Sequence, residues 1–77
     1  MNAQRRQQIS NILSRIEDIV SELETLKDEE QDAFDAIPES LQASERGEKS
    51  QEAIDALDNA MSEAESARDN LDAIVNA

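Results

Sequence analysis

Large apolar side chains recur from Ile9 in steps of three and four, at Ile9, Ile12, Ile16, Ile19, Leu23 and Leu26. This is the spacing of the a and d positions of a heptad repeat, and it predicts an amphipathic helix. Leu13, Val20 and Phe34 add a third column beside that seam. The apolar face is therefore wider than a two-stranded coil needs and calls for more than one neighbour. Asn2 is a good N-cap, and Pro38 disfavours the helical conformation at Ile37, so the first helix is predicted over about residues 3–36.

A second pattern follows at Ile54, Leu57, Met61, Ala64, Leu71 and Val75, again in three and four steps, interrupted by Arg68 at the expected core position. It predicts a helix over about residues 45–76. Ala53, Ala60, Ala67 and Ile74 run beside the seam once per heptad, and small side chains there suit a close approach of another helix. Asp58, Glu65 and Asp72 occupy the opposite flank and give this helix a wet edge.

Residues 37–47 hold the only proline and the only glycine of the chain, Pro38 and Gly47. Pro38 is suited to open a single helical turn through Leu41, Ser44 or Ser50 to cap the second helix, and Gly47 to permit a close backbone contact or an irregular start. A connection this short between two long helices predicts an all-α fold, an antiparallel two-helix hairpin forming one domain over residues 1–77. A chain of this length buries too small a share of its surface to be comfortably stable alone, so the wide face of the first helix predicts pairing of two hairpins into a four-helix bundle dimer.

Charge narrows the choice of partner. Nineteen acids against seven bases give a net charge of −12, which repels nucleic acid and anionic membranes, so direct binding to either is not expected. No stretch is apolar enough for a membrane span, and the basic start lacks an apolar segment after it, so a cytoplasmic protein is expected. The charge is also polarised along the first helix. Arg5, Arg6 and Arg15 precede any acid, whereas residues 17–35 carry nine acids and one base, Lys27. Arginines in the first turn oppose the helix dipole, and the hairpin is expected to offset this by bringing them near Asp69 and Asp72. Asp28, Glu29, Asp32, Asp35 and Glu39 concentrate negative charge at the turn end, as a candidate partner surface. Most such runs are solvated faces; the sharper reading is imitation of DNA phosphates to block a DNA-handling enzyme. The run lacks the alternating ligands and central glycine of a calcium loop.

Catalysis finds little to work with. There is no histidine and no cysteine, so the usual general base and the most reactive nucleophile are missing, and no catalytic residue, metal site or cofactor is expected. Glu30, at a core position of the first helix, is expected at the fraying end of the seam. Arg68 is expected to reach Glu17 or Glu65, or to specify register.

The turn has a further resemblance. Phe34-Asp35-Ala36-Ile37-Pro38-Glu39-Ser40-Leu41-Gln42, followed by Ser44-Glu45-Arg46-Gly47 and preceded by acid-rich sequence, resembles the central motif of a group of short acidic helical proteins of phages and prophages. The matching stretch, residues 30–48, is about a quarter of the chain, and Ala36 departs from the Asn common there. That group is largely without assigned activity, so the resemblance implies a setting, a phage accessory protein in the host cytoplasm, and by analogy with other small phage proteins one that binds and modulates or inhibits a host protein. Within the motif, Phe34, Pro38 and Leu41 are expected to plug the end of the bundle, the alternative being a shaped loop presented to a partner. A purely structural role as a scaffold segment is the remaining possibility.

Overall fold

The computed structural model describes all residues, Met1–Ala77, and consists of two long α-helices joined by a short 3-10 turn. Helix α1 spans Ala3–Asp35, the 3-10 turn Glu39–Leu41, and helix α2 Glu45–Val75. The helices lie antiparallel as a rod of 58 × 14 × 14 Å.

The ends of α1 are set by local chemistry. The extended backbone of Asn2 lets its Oδ1 accept the Arg5 backbone N–H at 2.8 Å, which satisfies one of the amides a helix start leaves free. At the other end Ala36 is still helical, and Pro38 brings the helix to a stop. The Leu41 N–H then donates to the Pro38 carbonyl at 2.7 Å, so the single turn expected after Pro38 forms. Ser44 is the cap of α2 by backbone geometry, yet its side chain makes no capping bond.

What holds the start of α2 instead is close packing against the turn. Gly47 is buried, and a Cβ there would run into the carbonyl oxygen of Gln42, with the carbonyl carbon 2.5 Å and the Cα 2.9 Å away. No glycine in the chain has positive φ, so this glycine is required for space and not for backbone conformation.

The seam of α2 is the predicted one: Ile54 is buried, and Leu57, Met61, Ala64, Arg68, Leu71 and Val75 are half-buried. The seam of α1 differs from expectation. It runs through Ile9, Leu13, Ile16, Val20, Leu23, Lys27, Glu30 and Phe34 and ends on Ile37, all buried or half-buried. Ile9, Ile16 and Leu23 belong to both frames, but Ile12, Ile19 and Leu26 do not face α2 and lie exposed. Leu13, Val20 and Phe34, taken from sequence as an accessory column, are the inward row.

The reason lies at the closed end. The frame in use turns Phe34 and Ile37 inward, and it gives each polar seam residue a partner on α2. Lys27 Nζ donates to Asp58 Oδ1 at 2.7 Å, and Glu30 Oε1 accepts from Ser50 Oγ at 2.7 Å. Glu30 is thus a bonded seam residue and not a fraying end.

Candidate protein-interaction surfaces

The turn projects from the pole of the rod remote from both chain ends. Its inner surface is closed by Ile37, 5% exposed, and by half-buried Phe34. The Gln42 side chain donates to the Ile37 carbonyl at 3.2 Å and the Ser44 N–H to the Leu41 carbonyl at 3.0 Å, so the backbone of the turn is braced from within. The expected plug is therefore corrected in composition. Ile37 takes the inward place, while Pro38 is exposed and Leu41 is 53% exposed. Asp28, Glu29, Asp32, Asp35 and Glu39 are all exposed around this pole. Below it a cleft of about 640 Å³ is lined by Glu30, Ala33, Ile37, Arg46 and Lys49 among others.

The two long faces of the hairpin differ in chemistry. In an antiparallel pair of heptad helices the residues flanking the seam on one side of each helix share a face. Ile12, Ile19, Leu26 and Ala33 of α1 therefore lie alongside Ala53, Ala60, Ala67 and Ile74 of α2, and the cleft joining Ala33 to Arg46 opens on the same face. Ile12, Ile19, Leu26 and Ile74 are 37%, 47%, 49% and 41% exposed, an apolar stripe along the rod that one hairpin leaves open. The opposite face carries Glu17 and Glu24 beside Asp58, Glu65 and Asp72. Lys27 crosses toward that acidic face. Its hydrogen bond to Asp58, then the charge of Asp58, with smaller help from Asp28 and Glu24, holds its ammonium above the ordinary lysine value of about 10.5.

The basic pole is less engaged than expected. Arg5, Arg6 and Arg15 are exposed, and the ion pairs of the hairpin are Lys27 with Asp58, Lys49 with Glu45 and Arg68 with Asp69. Arg6 donates only to the Met1 carbonyl, at 3.0 Å. Asp69 is held by Arg68, its neighbour in sequence; the N-terminal arginines form no ion pair with Asp69 or Asp72, and the expected reach of Arg68 to Glu17 or Glu65 is corrected. Nowhere do three carboxylates come together as a metal site, and no helix is long and apolar enough to cross a membrane.

Comparison of the chain with protein-family models, with curated proteins and with solved structures finds no match.

Proposed function

We propose that this chain is a non-catalytic protein-binding module, a hairpin that pairs with itself into a four-helix bundle and offers its turn to a partner protein. The observation that carries the reading is the division of labour within the turn. Ile37 and Gly47 close the hairpin, and Pro38 and Leu41 are left outside on a braced backbone within an acidic surround. An ordered apolar side chain at a rod's tip, with charges around it, has the layout of a small protein-binding epitope. The resemblance of this segment to short acidic phage proteins supports a host protein as the partner.

Magnitude argues against imitation of DNA. The turn-end run Asp28–Asp35 holds its five acids over about 12 Å of helix, but along the whole rod the net charge of −12 over 58 Å falls to roughly one per 5 Å, whereas duplex DNA keeps one per ~1.7 Å throughout its length. A turn-mediated contact is the stronger reading.

The test is capture of partners from nuclease-treated lysate of a bacterial host by the intact chain and by a Leu41→Asp variant, with washes rising to about 0.5 M salt, where exposed charge pairs are largely screened. The expected result is a specific protein that resists the salt and is missing from the variant. A partner released by salt and by duplex DNA, and indifferent to Leu41→Asp, would move the reading to charge imitation.

A further inference from the structure

We infer that the apolar face of the hairpin is covered by a second copy of this chain, laid across it with the opposite direction about a two-fold axis through Ile19. The inference rests on the proposed pairing into a four-helix bundle and specifies its register and polarity.

Three observations converge. The first is register. The large apolar residues of the α1 row, Ile12, Ile19 and Leu26, are centred on Ile19, with Arg5 and Ala33 continuing the row one heptad further at either end, and the α2 row, Ala53, Ala60, Ala67 and Ile74, is centred midway between Ala60 and Ala67. The contacts of Lys27 with Asp58 and of Glu30 with Ser50 set the relative height of the helices. Carried along both helices at equal rise, they place Ile19 level with α2 between Met61 and Ser66. The two rows are therefore centred at the same height. One perpendicular two-fold axis sets Ile19 against Ile19 of the second copy and Ile12 against Leu26. The same operation sets Ala60 against Ala67 and Ala53 against Ile74. Isologous contacts of this kind are what a closed dimer requires.

The second observation is charge. Arg15 and Glu22 border the apolar row of α1 on its outer side, one on each side of Ile19 along the helix. Reversal about Ile19 brings Arg15 of each copy beside Glu22 of the other. Arg5, without an acidic partner in the single hairpin, comes level with Ala33 of the second copy, one helical turn from Glu29. A parallel arrangement, with the axis along the rod, would instead stack the acidic turn pole on the acidic turn pole and set Arg15 level with Arg15 of the other copy.

The third is area. A compact monomer of 8.5 kDa exposes about 4,700 Å², whereas the hairpin exposes 5535 Å². The excess of roughly 800 Å² matches the ~800 Å² per partner of a standard specific interface.

The chain has no cysteine, so an Ile19→Cys variant reports the axis without background. Sedimentation equilibrium of the unmodified chain comes first, and a dimer is expected; a monomer at all concentrations overturns both the pairing and its geometry. Oxidation of Ile19→Cys is then expected to give a near-complete covalent dimer, because residues on the axis come within disulfide reach. A dimer in which Ile19→Cys fails to cross-link, by oxidation and by a short bis-maleimide, overturns the antiparallel axis and leaves the pairing standing. Charge exchange checks polarity independently. Arg15→Glu is expected to weaken association roughly tenfold, since it affects two symmetric pairs, and adding Glu22→Arg is expected to restore it. No recovery in the double variant would contradict the pairing of Arg15 with Glu22.

Discussion

Replacing Gly47 by alanine sets two effects of opposite sign against each other. Gly47 is the third residue of α2, and in an ordinary helix position alanine is favoured over glycine by about 0.8–1 kcal/mol. Against that stands the Gln42 backbone, whose carbonyl carbon and Cα lie 2.5 and 2.9 Å from where the new methyl would sit. Every atom it meets is main chain, so no side chain can swing aside, and the turn must lift by about an ångström. Lifting it strains the bonds from Gln42 Nε2 to Ile37 O and from Ser44 N to Leu41 O, together with the burial of Ile37. Loss of two hydrogen bonds at ~1 kcal/mol each and of the ~1.5–3 kcal/mol of a buried Ile sets an upper range of about 3.5–5 kcal/mol. With the helix gain subtracted, Gly47→Ala is expected to destabilise by roughly 2–4 kcal/mol, a fall in Tm of roughly 10–25 °C for a chain of this size. Circular dichroism melts at one fixed chain concentration would measure it, since self-association makes Tm depend on concentration. A variant as stable as the parent would show that helix propensity outweighs the contact, and the account of Gly47 as a spacing residue would fail.

Other substitutions bear on the seam. Ser50→Ala is expected to cost about 1–2 kcal/mol in urea unfolding, because it leaves the Glu30 carboxylate half-buried without its hydrogen bond; adding Glu30→Leu should recover most of the loss. Arg68 interrupts an otherwise apolar row and pairs only with Asp69, so Arg68→Leu is expected to raise stability by about 1–2 kcal/mol in the same assay. The pH dependence follows from Lys27. Its pKa is raised on folding, so its contribution is complete below the unfolded lysine value of about 10.5 and is lost as pH rises through the higher folded value. Tm measured from pH 9 to 12 should therefore fall over the alkaline part of that range, and Asp58→Asn should flatten the fall. Asn2→Ala is expected to lower stability by about 1 kcal/mol, with fraying confined to the start of α1 by hydrogen exchange.

How far the sequence carried depended on how many frames a helix offered. In α2 a single frame held every large apolar residue but Ile74, and the structure uses it, Arg68 included. In α1 two heptad frames share Ile9, Ile16 and Leu23, and Ile12, Ile19 and Leu26, the remaining members of the one richer in isoleucine and leucine, face away from α2. Hydrophobic content alone could not choose between them. What decides is the pairing of Lys27 with Asp58 and of Glu30 with Ser50, which is visible only once the helices are set side by side. Pro38 marked the end of α1 and Gly47 a close contact, both from residue chemistry. The exposure of Leu41 was not legible, because Ile37 and Leu41 are equivalent apolar residues until the 3-10 turn directs one in and the other out. The N-terminal arginines failed as a guide for a similar reason: Asp69 had a nearer partner in Arg68.

The braced turn also governs the order in which the chain can fold. Contacts near it join residues close in sequence, while Glu30 and Ser50 are 20 apart, Lys27 and Asp58 are 31 apart, and pairs nearer the chain ends are more distant still. Loop closure is least costly at the turn, so the hairpin zips from there toward its ends. Changes at Gly47 or Ile37 should then slow folding, and changes at Leu13 or Leu71 should mainly speed unfolding. Pro38 and Leu41 sit in the same segment with their side chains outside the packed interior. A surface that alters there can acquire a new partner without disturbing the step that starts the fold.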